Sequence, residues 1–173
     1  MIEINMTTVK EIMTKQVIAC NPGTSIKEAA RLLYLNGITA MPVLDKTDKL
    51  VGIVSETDLV KVEGRLHLPP TIGFLGALIY LDNPLNGDEV QKQLHDILAT
   101  KVEELMTKNV ITIASDASVE DAAELILHKK VNTVPVVEGG RLVGIVSRAD
   151  IVKLLAGEQE LRGTPWRELA KKS

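Results

Sequence analysis

The chain has 173 residues and a formal net charge of −3; 45% of its residues are hydrophobic, 25% charged and only 2% aromatic. This composition is typical of a folded protein with an aliphatic core, arranged as one compact domain or two small ones. The acidic balance and the lack of a dense Lys/Arg run argue against a nucleic-acid-binding protein, which has to neutralise phosphates. Cys20 is the single cysteine, which excludes an internal disulfide and a cysteine-based metal cluster.

In chain order, the same series of elements occurs twice. The matched segments are residues 9–18 and 102–111, 41–43 and 134–136, 50–55 and 142–147, and finally Asp58 and Asp150. The second copy is one residue shorter, in a polar turn, where a repeated structural unit tolerates a deletion. Because two copies of one unit tend to pack as a symmetric pair, a cleft on the axis of the pair is a natural ligand site.

Each copy begins with a short amphipathic turn that ends in Met-Thr. The elements predicted after it are strands at 16–20 and 109–113, helices that start after Ser25 and Ser118, strands at 41–44, 50–54, 134–137 and 142–146, and last helices that start at Ser55 and Ser147. An acidic residue three positions after Ser25 and Ser118 indicates a capping box, and Gly37 is a better helix stop than Lys130. Residues 138–141 indicate a hairpin. This order predicts an α+β fold of two β-α-β-β-α repeats, with helices on one side of a small sheet.

Segments of different character lie between and after the repeats. We divide the chain into repeat 1 (7–62), a helical insert or linker (63–100), repeat 2 (101–156) and a C-terminal tail (157–173). The insert is broken at Pro69-Pro70 and predicts a helix over 88–99. Thr164 predicts the cap of a short helix in the tail.

The longest apolar run, residues 71–81, bears on membrane association. It is too short to span a bilayer and has no basic face with which to lie on one. Burial against the repeats or at a dimer contact is therefore the better interpretation. Residues 1–10 lack the basic and apolar regions of a signal peptide, so the sequence predicts a soluble, cytoplasmic protein.

A strand-to-helix signature, Gly-Ile-Val-Ser-x-x-Asp, closes each repeat at residues 52–58 and 144–150. A helix start with free N–H groups and a Ser hydroxyl suits a phosphate, and a carboxylate one turn later can accept hydrogen bonds from two ribose hydroxyls. The glycine lets the strand approach neighbouring backbone or a ligand. Ser-x-x-Asp is equally a capping box that needs no ligand, and the two interpretations can both hold.

A segment with proline precedes each of these strands, at residues 38–42 and 131–135. Proline donates no hydrogen bond and forces the residue before it into an extended conformation. The backbone nearby can therefore offer unpaired groups to the edge of a base. The alternative is that the proline marks an edge strand.

The joint occurrence of these motifs, twice and in order, resembles a tandem pair of cystathionine β-synthase (CBS) domains, a Bateman module. The resemblance implies a pseudo-twofold pair of repeats whose two clefts bind adenosine-containing ligands: AMP, ADP, ATP or S-adenosylmethionine. It also implies a homodimer formed through the helices. No catalytic cofactor is implied.

The resemblance further implies two ligand-binding sets, each drawn from both repeats. The first is Thr14, Val17, Ala19, Ile38, Thr39 and Ala40 around the base, with Ser147, Arg148 and Asp150 at phosphate and ribose. The second is Thr107, Val110, Thr112, Val131, Asn132 and Thr133, with Ser55 and Asp58. Arg148 favours a charged nucleotide in the first set, whereas Glu56 at the matching place would repel one; Arg148 as an ordinary surface residue is the alternative.

Other chemistry is not indicated by the sequence. The three histidines, His67, His95 and His128, have no metal-ligand spacing, and there is no Walker loop or Rossmann glycine pattern. We therefore expect a regulatory nucleotide-binding protein that is not an enzyme and that acts on an unknown effector protein. The alternatives are a protein-interaction or dimerisation module with empty clefts, and an S-adenosylmethionine sensor.

Overall fold

The structure is a computed structural model, and it describes residues 7–63 and 99–156. The predicted helix at 88–99 (apart from its last residue), the apolar run at 71–81 and the tail helix lie outside the described residues. Among the described residues, no helix is long and apolar enough to cross a membrane.

The described elements confirm the α+β fold with two repeats. In chain order they are α1 (Val9–Ile12), α2 (Ile26–Asn36), β1 (Ala40–Leu44), β2 (Leu50–Ser55), α3 (Glu56–Glu63), a 3-10 turn (Val102–Glu104), β3 (Ile113–Ala114), α4 (Val119–Lys129), β4 (Thr133–Glu138), β5 (Arg141–Ser147) and α5 (Arg148–Leu155). Strands β1 and β2 form one sheet, and β3, β4 and β5 form a second in that order. Strand β3 is parallel to β4, and β4 is antiparallel to β5.

The leading strand of each repeat is much shorter than predicted. Residues 16–20 contribute only a bridge in which Cys20 pairs in parallel with Val43, and the predicted strand at 109–113 is reduced to β3. The N–H of Cys20 donates to the carbonyl of Pro42 at 3.1 Å. The next rung of a parallel ladder would need an N–H from Pro42, which proline lacks. The matching Pro135 has the same effect on β3.

Helix starts and turns form as the sequence indicates. Ser25 Oγ accepts the Glu28 N–H at 3.2 Å, and Ser118 Oγ accepts the Asp121 N–H at 3.0 Å. The predicted hairpin links β4 and β5 through Gly139 and Gly140, whose φ angles of 54° and 79° suit a two-residue turn. Both long helices therefore begin with a satisfied donor, and β4 and β5 pair in a register that shifts once, between Val136 and Val137.

Both long helices end in a left-handed residue. Gly37 has a φ of 62°, and Lys130 occupies the matching place with a φ of 55°. A residue with a Cβ is strained in this region by about 1 kcal/mol, whereas glycine is not. Lys130 is therefore the weaker of the two stops in energy, although the turn that it forms is the same.

The chain forms two compact units that do not coincide with the two repeats. Of the described residues, the β3–β5 unit contains 7–17, 47–50 and 109–156, and the β1–β2 unit contains 18–46, 51–63 and 99–108. The Met-Thr turn of repeat 1 thus belongs to the unit built on the strands of repeat 2. The Met-Thr turn of repeat 2 belongs to the unit built on the strands of repeat 1. The two repeats exchange their opening segments.

Backbone hydrogen bonds fix the exchanged segment in the β3–β5 unit. The N–H of Val9 donates to the Ala117 carbonyl at 2.9 Å, and the N–H of Val119 donates to the Thr7 carbonyl at 3.0 Å. The buried core of this unit is Val9, Ile12, Met13, Ile113, Val119, Ala122, Ile126, Val134, Val136 and Val146. Three of these side chains come from repeat 1, so the core is complete only with the exchanged segment.

The β1–β2 unit is built in the same way. The N–H of Ile26 donates to the Thr100 carbonyl and that of Val102 to the Thr24 carbonyl, both at 2.9 Å. Its buried core is Cys20, Ile26, Ala29, Ala30, Leu33, Met41, Val43, Val54, Leu59 and Val102. Here Val102 is the fully buried side chain supplied by repeat 2.

Candidate functional site

The glycine of each strand-to-helix signature is covered by the methionine of the exchanged turn. A Cβ placed on Gly144 would lie 2.9 Å from Met13 Cγ and would overlap Met13 Sδ. A Cβ on Gly52 would meet Met106 in the same way, also 2.9 Å from its Cγ. The close approach expected at these glycines is therefore to a methionine side chain. The glycine motif of one repeat contacts the Met-Thr motif of the other.

The threonine after each methionine pairs with the strand that leads into the signature serine. Thr14 and Ile145 exchange backbone hydrogen bonds of 2.9 and 3.0 Å. Thr107 and Ile53 do the same, at 2.9 and 3.0 Å. Since Ile145 is two residues before Ser147, the exposed Thr14 side chain belongs to the same end of β5 as the predicted phosphate and ribose groups.

Both Ser-x-x-Asp motifs form capping boxes. The Ser147 N–H and Oγ donate to Asp150 Oδ2 at 2.8 and 2.6 Å, and the Asp150 N–H approaches Ser147 Oγ at 3.4 Å. The corresponding distances for Ser55 and Asp58 are 3.0, 2.7 and 3.4 Å. The capping interpretation is therefore confirmed at both places. Both carboxylates are nevertheless half-buried rather than enclosed, and only one oxygen of each takes part in the box.

The second carboxylate oxygen differs between the two copies. Asp58 Oδ1 accepts a hydrogen bond from Lys61 Nζ at 3.4 Å and forms an ion pair with it. No such pair is present between Asp150 and Lys153 in the described part of the chain. Lys61 is not among the predicted site residues, although a lysine three residues after each aspartate is at a spacing where helical side chains meet.

The proline-containing segments also lie at these strand-to-helix corners. The Glu56 N–H donates to the Thr39 carbonyl at 2.9 Å, and the Arg148 N–H donates to the Asn132 carbonyl at 3.1 Å. Thr133 is the register partner of Ser147. Each of the two carbonyls thus has a helix N–H as a partner, while the side chains of Thr39 and Asn132 are exposed.

The predicted site residues are distributed over both units. The β3–β5 unit contains Thr14, Val17, Val110, Thr112, Val131, Asn132, Thr133, Ser147, Arg148 and Asp150, and the β1–β2 unit contains Ala19, Ile38, Thr39, Ala40, Ser55, Asp58 and Thr107. None of these side chains is buried. The structure brings Thr14 to the end of β5 that carries Ser147, and Thr107 to the end of β2 that carries Ser55. The grouping of the other residues into two sets stays a prediction.

A polar cluster outside the predicted site residues holds the exchanged turn of the β3–β5 unit. The buried Ser115 Oγ donates a short hydrogen bond to Glu138 Oε1. The same oxygen lies 3.8 Å from Lys10 Nζ, and the Lys10 N–H donates to the Ser115 carbonyl. Since Lys10 and Glu138 are largely exposed, this pair adds little stability on its own. The cluster as a whole fixes the position of the exchanged turn against residues 115 and 138.

The described residues offer little for other chemistry. Burial raises the pKa of the Cys20 thiol to about 11, against the effect of a hydrogen bond with Thr24, so the thiol stays protonated at neutral pH and is a poor nucleophile. Within residues 7–63 and 99–156, no group of three or more His, Cys, Asp or Glu side chains could hold a metal ion.

Two α+β repeats that exchange their Met-Thr turns, each with a capped serine–aspartate corner, define a tandem repeat protein with a duplicated candidate binding site. The sequence model of the CBS domain matches residues 9–65 and 102–157. This chain belongs to the CBS domain family and carries two copies of the domain.

Known proteins of similar sequence and structure support this assignment. The uncharacterized protein MJ1426 of Methanocaldococcus jannaschii is 35% identical over 154 residues, which are 85% of this chain and 90% of that protein. Several longer relatives are also similar, and the chain spans 63% of their length or less.

Two of the structurally similar proteins were solved with ligands. The CBS domain pair of protein MJ0100, in complex with 5′-methylthioadenosine and S-adenosyl-L-methionine, has 30% identity and a TM-score of 0.64; the match covers 88% of this chain and 98% of that one. CBSX2 of Arabidopsis thaliana, in complex with AMP, has 29% identity and a TM-score of 0.64, with coverage of 87% and 96%. Adenosine-containing ligands are thus known for CBS pairs of this kind.

Proposed function

We propose that this chain is a regulatory protein that binds an adenosine nucleotide, AMP, ADP or ATP, and that it acts in the cytoplasm as a homodimer on an effector protein. Binding would favour one of two conformational populations, which the effector distinguishes. The proposal assigns the chain no catalytic activity.

The observation that carries the proposal is the geometry of the Ser147–Asp150 corner. Asp150 uses Oδ2 in the capping box, and no hydrogen bond from residues 7–63 or 99–156 occupies Oδ1, which can accept from a ribose hydroxyl. Arg148 begins α5 directly beside it, where the N-terminus of the helix already favours an anion. Thr14 completes the corner from the neighbouring backbone. A nucleotide with its ribose on Asp150 would therefore place its phosphate beside Arg148 and the N-terminus of α5.

S-adenosylmethionine is the second candidate ligand. The capping aspartate would contact only the ribose diol, which nucleotides and adenosylsulfonium compounds share. This contact therefore does not distinguish the two kinds of ligand. The structurally similar CBS pair of MJ0100 was solved with S-adenosyl-L-methionine, which supports testing this ligand beside the nucleotides.

A panel of ligands tests the proposal directly. The thermal unfolding of the purified protein would be followed with AMP, ADP, ATP, S-adenosylmethionine and NAD, with guanosine monophosphate as the control for the base. A ligand present at about 100 times its dissociation constant should stabilise the protein by about 2.7 kcal/mol, visible as a clear rise in Tm. If no adenosine compound raises Tm, the proposal is wrong and the interaction module with empty sites takes its place.

The homodimer is proposed from apolar side chains that stand exposed on the helices. Tyr34, Leu35 and Val60 are 60%, 66% and 55% exposed in the β1–β2 unit, and Leu127, Val152 and Leu155 are 67%, 62% and 81% exposed in the β3–β5 unit. Light scattering should give twice the mass of the chain. Leu127→Glu should shift the protein toward the monomer at micromolar concentration, because burying a charge in an apolar contact is costly. Lys129→Glu on the same helix is the control, and a parent protein of single-chain mass would refute the dimer.

A further inference from the structure

The two serine–aspartate corners carry opposite charges at one matched position. Glu56 begins α3 and Arg148 begins α5, each directly after its capping serine. Each donates its backbone N–H to the matching carbonyl, Thr39 or Asn132, and each side chain is exposed. The two side chains therefore leave the backbone from the same place in the two corners.

The charged positions on the two signature helices and after the two threonines match in sign, whereas Lys129 and Lys130 precede Asn132 where the uncharged Asn36 and Gly37 precede Thr39. The matched pairs are Asp58 and Asp150, Lys61 and Lys153, and Lys108 and Lys15, the last pair following the two threonines. In the described part of the chain, neither Glu56 nor Arg148 forms an ion pair. The electrostatic difference between the corners at this position thus amounts to two charge units, and no neighbouring side chain within the described residues cancels it by a direct pair.

The location of this difference matters because of how an adenosyl ligand would lie. We take the ribose diol to lie on the aspartate and the 5′ substituent to lie at the start of the helix, where the N-terminus favours an anion and the Glu56 or Arg148 side chain begins. A 5′-phosphate monoester carries about −1.5 to −2 charges near pH 7. The 5′-sulfonium of S-adenosylmethionine carries a positive charge, and the 5′-hydroxyl of adenosine carries none.

We propose that the two corners select different adenosyl ligands: the Ser147–Asp150 corner takes a 5′-phosphate nucleotide, and the Ser55–Asp58 corner takes an adenosyl ligand with a cationic or uncharged 5′ substituent, such as S-adenosylmethionine. This rests on the proposed function and adds the ligand class of each corner. The chain would then respond to a combination of two metabolite classes. A charge reversal near a dianion in partly solvated surroundings changes affinity by about tenfold or more at low salt, and less at high salt.

The test isolates each corner and reverses its charge. Binding of AMP, adenosine and S-adenosylmethionine would be measured by calorimetry at low ionic strength. In an Asp58→Ala background, which leaves the Ser147 corner, Arg148→Glu should weaken AMP about tenfold or more and change adenosine less than twofold. In an Asp150→Ala background, Glu56→Arg should tighten AMP about tenfold and weaken S-adenosylmethionine. The neutral variants Arg148→Gln and Glu56→Gln should give intermediate values, and 0.3 M salt should shrink every difference.

The outcomes separate the inference from the proposed function. If adenosine binds both corners but the ratio of AMP to adenosine affinity is unchanged by both charge reversals, charge selection is refuted while adenosine binding stands. If none of the three compounds binds the parent protein, the proposed function and the inference both fail. Circular dichroism of each variant establishes that a loss of binding is not a loss of fold.

Discussion

Gly144→Ala is expected to destabilise the protein by about 1–3 kcal/mol, although an alanine in a strand normally costs nothing relative to glycine. The added methyl group would overlap Met13 Sδ and approach its Cγ to 2.9 Å. Met13 is only 7% exposed and packed in the core of the β3–β5 unit, so it has little room to move aside. Overpacking of this kind costs about 1–3 kcal/mol, which outweighs the entropy gained on replacing glycine.

A double-mutant cycle with Met13→Ala identifies the cause. Truncation of Met13 alone should cost about 2–4 kcal/mol through the cavity that it leaves, and Gly144→Ala in that background should be neutral or stabilising. Urea unfolding followed by circular dichroism measures all four proteins. Gly52→Ala with Met106→Ala repeats the experiment in the β1–β2 unit. Equal effects of Gly144→Ala with and without Met13 would show that the methionine contact is not responsible.

The order of the elements was predictable because it depends on local chemistry. Capping serines at 25 and 118, the left-handed stop at Gly37 and the Gly139-Gly140 hairpin each act through hydrogen bonds or backbone angles within a few residues. The length of the leading strands was mispredicted because the limit comes from a partner. Pro42 and Pro135 stop those ladders from the neighbouring strand, which a window along residues 16–20 does not contain.

The exchange of the Met-Thr turns could not be predicted from local sequence patterns. Residues 9–13 and 102–106 have nearly the same apolar pattern, so each turn could cover the core of either repeat. Periodicity indicates which face of a segment is buried but not which core buries it. The paired glycine and methionine of each repeat were visible as motifs. Their contact across the repeats, Met13 with Gly144 and Met106 with Gly52, became clear only in three dimensions.

The candidate site was predictable in its chemistry and only partly in its detail. The serine–aspartate boxes form as the sequence indicates, since they act over three residues. The ion pair of Lys61 with Asp58, and its lack of a counterpart at Asp150 among the described residues, depends on side-chain rotamers that spacing alone does not fix. The two corners therefore contain the same motifs. They differ because Asp58 Oδ1 is paired with Lys61, whereas Asp150 Oδ1 has no such pair within the described residues.

Asp150→Ala is expected to weaken AMP binding by about 10- to 100-fold. A hydrogen bond from a ribose hydroxyl to a carboxylate contributes about 1.5–3 kcal/mol, and 1.4 kcal/mol corresponds to a factor of ten in affinity. The same substitution removes the capping box of α5, whose hydrogen bonds at 2.6 and 2.8 Å would be lost, and should lower the free energy of unfolding by about 1 kcal/mol. Binding by calorimetry and stability by urea unfolding separate the two effects.

Asp121→Ala is the control for capping, because it removes an acid of the same type from another capping box of the same unit. Asp121 accepts the Ser118 N–H at 3.3 Å at the start of α4, and it belongs to neither predicted ligand-binding set. Asp121→Ala should lose less stability than Asp150→Ala, because its carboxylate accepts one longer, exposed bond rather than two short ones, and only Asp150→Ala should lose affinity for AMP. If both variants weaken AMP equally, the loss reflects helix stability; if Asp150→Ala binds AMP as tightly as the parent protein, the carboxylate is a cap alone. A loss of AMP affinity that is confined to Asp150→Ala, in a protein that is still folded at the temperature of the measurement, therefore indicates that the Asp150 carboxylate contacts the ligand.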